Sequence, residues 1–392
     1  MSSSDRHLQQ FHVPFEYPVL FTESVFSDGN DVLAEALDVS GSGPRHRVMA
    51  FLDEGLVSAN PSLPQEISCF FERHRERFEL VAEPWVVTGG EAIKNDYRLL
   101  MQIVDGLLEF RMCRHSYVLA VGGGAVLDAV GFGAAIVHRG LRTVRLPTTV
   151  LAQCDAGIGV KNGMNLHGGK NTVGTFHPPF AVINDAAFLR TLSFEHWIGG
   201  VAEAFKVAII KDAVFLDELC RDAERLRERD EACMHTVVHR CARMHLDHIA
   251  LNGDPFELGA ARPLDFGHWA AHKLESMTGY KVGHGQAVAI GIALDCTYAA
   301  RQGWIEAEER DAILDGMQTC GLPLWHPALD RRIDGDRLEV LSGLEDFREH
   351  LGGVLCVTYP RPLGSKVDVN EIDRDAMTRA CAELKARASV CR

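Results

Sequence analysis

The sequence contains no CxxC pair and no dense cysteine framework. Its eleven cysteines are scattered over 392 residues, the pattern expected of reduced thiols in a cytoplasmic protein and not of a disulfide scaffold. Cys154 alone lies beside a polar motif. Long uninterrupted apolar runs are also missing: the stretch from Tyr117 to Val137 contains Asp128 and several glycines, so no membrane span is expected. The opening MSSSDRHLQQ lacks a charged region followed by an apolar core, so no signal peptide is expected either. Positive charge is in short supply, with 40 Lys and Arg against 54 Asp and Glu and a formal charge of −14. That balance argues against nucleic-acid or membrane-surface partners and requires any anionic small substrate to meet local basic residues. No internal repeat or low-complexity segment is present.

What remains is a chain with 46% hydrophobic and 24% charged residues, long enough for two domains. Before residue 195, short apolar or β-branched runs alternate with helical patterns: HRVMAFLDEGL, FELVAEPWVVTGG, SYVLAVGGGAVLDAVGFGAAIV, TVRLPTT and FAVINDAAFL. This alternation predicts βαβ units and a parallel sheet. Beyond that point the patterns are long and helical, at 201–210, 213–227, 232–251, 267–277, 286–301 and 307–320. The fold class is therefore α/β followed by α, with a Rossmann-like nucleotide-binding domain over 1–193 and a mostly helical domain over 194–392.

Three motifs carry candidate chemistry. The first is VGGGAVLD, Val121 to Asp128, which follows an apolar strand and opens an apolar helix. Glycines there let a backbone approach a pyrophosphate at a helix N-terminus; the spacing is not GxGxxG, and a plain strand-to-helix turn is the alternative. Asp53, at the end of HRVMAFLD, suits a ribose hydroxyl or a helix cap. The second motif, Pro147 to Asn171, packs Asp155, Lys161, Asn162, Asn165, Lys170 and Asn171 among glycines. Such polar density predicts a binding loop, since a core strand or helix would not tolerate it. Lysines there suit a phosphate, and Asp and Asn suit hydroxyls, as in a phosphorylated polyol.

The third motif is a set of metal-ligand types: Glu203 in EAFK, His268 and His272 in FGHWAAH, and His284 in VGHGQAV. His268 and His272 are one helical turn apart and share a face, so both or only one could bind a metal. Glu203 must come from another helix, and Glu203 with Lys206 at i+3 reads equally as an ion pair.

Taken in order, the blocks GGEAIK, GGGAVLD, HRG, PTTVLAQCD, GVKNGMN, GKN, EAFK, FGHWAAH and HGQAVAIG resemble the sugar phosphate cyclases, whose best-known member is 3-dehydroquinate synthase. The resemblance runs from about Asp53 to about Asp368 and is most specific from Gly122 to His284. It implies a nucleotide-binding domain and a helical domain with NAD and a divalent metal, Zn or Co, in the cleft. By position, Glu203, His268 and His284 become the metal ligands, with His272 facing substrate. Asp53, Glu91, Lys94, Gly123, Gly124, Asp128, Thr148 and Thr149 match dinucleotide-binding positions. Asp155, Lys161, Lys170, Asn171 and Lys206 match catalytic or substrate contacts. Arg139 matches an arginine that reaches the phosphate across a dimer interface, which implies a homodimer, and Arg348 takes the place of a C-terminal phosphate-binding lysine.

The implied reaction oxidises one carbinol of a seven-carbon sugar phosphate transiently, eliminates phosphate, returns the hydride, opens the ring and closes a carbocycle by an aldol step. The sequence departs from dehydroquinate synthase where that enzyme meets its substrate carboxylate. Its arginine is displaced by one position onto Arg262, Asp265 stands where asparagine is usual, and His245 falls where a lysine would be. A carboxylate would be repelled by Asp265, whereas a neutral hydroxymethyl ketone would not. The expected substrate is sedoheptulose 7-phosphate, and the product 2-epi-5-epi-valiolone or 2-epi-valiolone, the retained His272 speaking against the first. The rival readings are 3-dehydroquinate synthase itself, a metal-dependent polyol dehydrogenase, which would not need GVKN, GKN and EAFK, and a silent scaffold, which would have lost metal or lysine positions.

Overall fold

The computed structural model describes residues 6–37, 45–167, 169–251, 255–256, 263–333, 335–350 and 352–390. Strands β1 (Val19–Thr22), β2 (His46–Asp53), β3 (Phe78–Leu80), β4 (Trp85–Val87), β5 (Tyr117–Gly122), β6 (Arg142–Pro147) and β9 (Ala181–Asp185) build one sheet. The order is β1-β9-β6-β5-β2-β3, with β4 also on β2, and every pairing is parallel. A separate antiparallel hairpin joins β7 (Lys161–Leu166) to β8 (Gly169–Phe176).

The sheet is apolar on both faces because both are covered. Val48, Ala50 and Leu52 point into one cluster with Tyr117, Leu119 and Val144. Met49 and Phe51 point into the other with Val118, Ala120 and, from the helix Gly124–Ile136, Val126, Leu127 and Val130. The register pairs Leu52 with Val121 and Gly122 with Pro147. Asp53, the Gly122–Gly124 turn and Thr148–Thr149 therefore open together at the carboxyl edge, where parallel sheets bind ligands.

The helical half has its own core, and two glycine contacts set the helices that carry the metal-ligand types. Gly267 has φ 79° and precedes the helix His268–Met277. Its carbonyl lies against Gly291 of the helix His284–Arg301, where any Cβ would collide. A Cβ on Gly285 would likewise strike the carbonyl of Gly199, so His284 is brought beside the helix Val201–Lys211 that bears Glu203. No described helix is long and apolar enough to cross a membrane.

One expectation needs correction. The polar stretch within Pro147–Asn171 is not simply a loop: Asn162 and Asn165 are buried in strand β7. The strand tolerates them because each amide is satisfied from elsewhere in the chain. Asn162 accepts from Arg145 at 2.7 Å and donates to the His177 carbonyl at 3.1 Å. Asn165 donates to Glu91 at 2.8 Å and accepts from the Asn171 amide at 2.9 Å.

Buried Asp295 pins the start of the His268 helix, accepting from the Gly267 amide at 3.1 Å and from Trp269 Nε1 at 3.0 Å. Burial pushes its carboxyl up to about 7, the hydrogen bonds opposing that shift incompletely. A raised folded value means stability that is complete below the unfolded value of about 4 and is lost as pH rises to 7. Asp295→Asn should therefore gain on the parent protein by about 1.4 kcal/mol per pH unit from pH 5 to 7, with no further gain above 8. Urea unfolding of both proteins across that range checks this; a difference constant with pH would refute it.

Candidate active site

Glu203 is fully buried on its helix, and its Oε1 has no hydrogen-bond donor among the described residues. Its Oε1 faces His268 Nε2 at 3.7 Å and His284 Nε2 at 4.0 Å. Atoms so spaced can share one metal at bonds of about 2.0–2.2 Å. The far nitrogens are already committed. His268 Nδ1 lies 3.1 Å from the Phe266 carbonyl and His284 Nδ1 lies 3.1 Å from Glu275 Oε2. An acceptor on Nδ1 fixes the tautomer that aims the Nε2 lone pair at Glu203. Burial, with the charges of Lys206 and His284, pushes His268 down to about 3, so the imidazole is neutral as a ligand must be. The nitrogens of His268, His272 and His284 also lie within 4.8 Å of one another. The donor set thus fits a divalent cation, with His272 at its margin.

Lys206, one helical turn beyond Glu203, has Nζ 2.5 Å from Glu203 Oε2 and 3.8 Å from Asp155 Oδ2. Burial alone would strip its proton, but the Asp155 and Glu203 carboxylates outweigh it and hold the ammonium charged. Asp155 sits on a single π turn, Ala152–Ala156, a distortion frequent at functional sites. It binds His245 Nδ1 at 2.8 Å. Burial would raise the Asp155 carboxyl, but Lys206 and His245 bring it well below the ordinary range. Asp265, on the short turn Pro263–Asp265, acts on both Lys206 and His268 electrostatically.

The candidate dinucleotide side is a second network. Lys94 is 3% exposed, donates to Asp128 Oδ2 at 2.6 Å and also bonds Asn171 Oδ1. Lys170 lies 3.8 Å from Glu91 and 2.9 Å from Glu275. Glu275 therefore links Lys170 to His284, although no sequence signal beyond its place one turn after His272 marks it. Burial would raise its carboxyl, yet His284 and Lys170 hold it well below the usual carboxylate range. Gly123 caps the helix Gly124–Ile136 with no side chain on its free amides, and Thr149 Oγ1 accepts from the Ala152 amide at 3.1 Å. Thr148 is buried, its amide donating to the Gly122 carbonyl at 3.0 Å. Backbone amides without side-chain caps at a glycine turn fit a pyrophosphate.

Residues 84–199 match the family profile described as 3-dehydroquinate synthase N-terminal, and residues 200–338 match its C-terminal counterpart. The 3-dehydroquinate synthase of Pseudomonas fluorescens (strain SBW25) is 36% identical over 315 residues, covering 76% of this chain and 82% of the relative. The chain belongs to the 3-dehydroquinate synthase family. Among solved structures, the 2-epi-5-epi-valiolone synthase of Streptomyces hygroscopicus subsp. jinggangensis 5008, with NAD+ and Zn2+ bound, is 29% identical at a TM-score of 0.85. It covers 97% of this chain and 100% of its own. A 2-deoxy-scyllo-inosose synthase with NAD+ and Co2+ shares the fold at 19% identity and a TM-score of 0.71, over 93% and 96% of the two chains.

Not every family position converges on the cleft. Asp53 caps the helix Glu54–Ala59 by accepting from the Gly55 and Leu56 amides at 2.8 and 3.3 Å, which leaves Oδ2 as the atom a ribose would meet. Arg139 is exposed on a turn in which His138, Arg139 and Gly140 have φ of 50°, 66° and 118°. It forms no ion pair among the described residues. Lys161 is exposed at the start of β7. Arg348 is exposed on the helix Gly343–His350 and contacts none of these residues by hydrogen bond or ion pair, so its place as phosphate ligand has no geometric support. Arg262 lies outside the described residues.

Glu275→Gln keeps the shape but removes the charge that orients His284. It should weaken divalent-metal affinity about 10- to 100-fold, the cost of losing such a partner. Competition against a chromophoric chelator measures it; an unchanged affinity would remove Glu275 from the site.

Proposed function

We propose that this family member is an NAD- and divalent-metal-dependent sugar phosphate cyclase, with Zn or Co as the metal. It converts sedoheptulose 7-phosphate, with loss of phosphate, into 2-epi-5-epi-valiolone or 2-epi-valiolone. The observation that carries the substrate choice is the His245–Asp155 pair at 2.8 Å. Where dehydroquinate synthase is expected to place a lysine, this chain presents a histidine drawn onto a carboxylate, with Asp265 a second carboxylate near Lys206. A substrate carboxylate would meet repulsion there, and a hydroxymethyl ketone would find acceptors. The likeness to a valiolone synthase over the full chain supports the same reading. The curated relatives named 3-dehydroquinate synthase favour the second reading, in which the carboxylated seven-carbon sugar is the substrate.

In this proposal residues 1–193 supply the dinucleotide half and residues 194–392 the metal half. Glu203, His268 and His284 hold the metal, and His272 faces the sugar. Bound NAD would accept and return one hydride, and the metal would polarise neighbouring hydroxyls. Oxidation at one carbinol acidifies the adjacent C–H, and phosphate leaves by β-elimination with the C–O bond pair. Lys206 and Lys161 lend positive charge to the enolate that precedes this loss and to the one that closes the ring. Asp155 fixes Lys206. Lys170 and Asn171 bind the sugar, and Arg139 of a second copy reaches its phosphate, which makes the working unit a homodimer.

Incubating NAD- and metal-loaded protein with sedoheptulose 7-phosphate and, separately, with the dehydroquinate synthase substrate tests the assignment through phosphate release and NADH absorbance. Release from the heptulose alone is expected. Release from the carboxylated sugar alone would make the chain a dehydroquinate synthase, and NADH accumulating without phosphate would make it a dehydrogenase. On the same reading, His245→Lys should shift the kcat/KM ratio toward the carboxylated sugar about tenfold, the value of one added charge-assisted contact.

A further inference from the structure

The middle of β6 carries a charged residue that the reaction above does not use. Arg145 is 1% exposed, and no carboxylate among the described residues forms an ion pair with it. Its guanidinium is spent on one stretch of backbone instead. Nη1 donates to the carbonyls of Gly157 and Gly159 at 3.3 and 2.7 Å. Nη2 donates to the Lys161 carbonyl at 3.1 Å and to Asn162 Oδ1 at 2.7 Å; Nε alone has no partner.

The two carbonyls that Arg145 skips are taken from other directions. Tyr17, in the segment before β1, donates its hydroxyl to the Ile158 carbonyl at 2.9 Å. The His177 amide donates to the Val160 carbonyl at 2.8 Å. Every carbonyl from Gly157 to Lys161 thus has a named donor, although the segment is neither helix nor sheet until β7 begins. This segment joins Asp155 to Lys161 and passes beneath His245, whose Nε2 would lie 3.5 Å from a Cβ on Gly159. Helix and sheet elsewhere fix their own carbonyls; here one planar fork fixes three of these five from below.

We infer that Arg145 is the positioning residue for the active-site segment, setting Lys161 against Asp155, with Tyr17 as a second pin. The inference rests on Asp155 and Lys161 belonging to the active site. A lysine at 145 would bring a single ammonium to a place where a fork reaches four acceptors, and a methionine would leave buried carbonyls without donors.

The test compares Arg145→Lys, Arg145→Met and Tyr17→Phe with the parent as NAD- and metal-loaded proteins. It reads hydrogen exchange by mass spectrometry and steady-state phosphate release. Arg145→Met should speed exchange about tenfold within 157–163 alone. Its kcat should fall about 100-fold, as a displacement of about 1 Å in a reacting group does, while KM and the binding of NAD and metal stay within about threefold. Arg145→Lys should recover about a tenth of parental kcat, since it restores some donors. Unchanged exchange in the segment, exchange raised equally across the whole sheet, or kcat within about threefold of the parent would each overturn the inference. If Arg145→Met does not fold, Tyr17→Phe carries the test. It should quicken exchange in the same segment and lower kcat about threefold, and no change in either refutes the role. If the parent releases phosphate from neither sugar, the proposed function fails and the exchange measurements alone decide the role of Arg145.

Discussion

Burying a carboxylate costs several kcal/mol unless a cation faces it, and Glu203 is fully buried. Lys206 compensates one oxygen. The other faces two imidazoles whose lone pairs repel it, an arrangement that is unfavourable by itself and favourable around a divalent ion. The helices accept this because glycines cut away the backbone between them. Gly285 lies against Gly199, and Gly267 against Gly291. Any side chain at those contacts would push His284 or His268 away from Glu203. Three glycines of the motifs HGQAVAIG and FGHWAAH, Gly267, Gly285 and Gly291, are thus spacing elements for the candidate ligands His268 and His284.

The second constraint is charge pairing across the cleft. Glu91, Lys170, Glu275 and His284 form a chain of contacts from the candidate dinucleotide edge to the candidate metal donors. Each member is a partner of the next, so the position of Lys170 depends on a carboxylate from the helical half. The candidate site is therefore not assembled by either half alone. Glu275 binds a lysine from the sheet side and a histidine from the metal side, which makes it the electrostatic joint between them.

Much of the layout was legible in the sequence because it is local. Alternating apolar runs gave a parallel sheet, and the strand–glycine–helix signal placed the turn at 122–124. One-turn spacing put His268 and His272 on a common face. What could not be read depends on contacts between distant segments. Glu275 looks like a helix-surface glutamate, and Asp295 is one acidic residue in an apolar helix. Arg145 sits in TVRLPTT, where a polar residue between apolar ones suggests a solvent-facing strand position; the hairpin β7–β8 and the turn before it cover that face. The same long-range bonds misled the reading of Asn162 and Asn165, whose polarity argued for a loop until their partners were known. Asp53 had two readings at the outset, and its Oδ1 serves the helix-cap reading.

Charge accounting also bears on the kind of substrate that the cleft suits. Lys94 is matched by Asp128, Lys170 by Glu275, and Lys206 by Glu203 and Asp155. Each of these cations is already balanced by a carboxylate at close range, and His245 is held by Asp155. Among the candidate residues, the exposed cations are Arg139 and Lys161 on the sheet half and Arg348 on the helix Gly343–His350. A cleft built this way has strong fields to hold hydroxyls and stabilise an enolate, but its buried positive charge is already spent. In the proposed function one phosphate meets Arg139 of a second copy, whereas a second anion on the same sugar would have to displace a carboxylate from a buried lysine. Breaking such a buried pair costs about 3–5 kcal/mol, more than a single new charge-assisted hydrogen bond of about 1.5–3 kcal/mol returns. On the proposed function, such a cleft favours a sugar with a single anionic group.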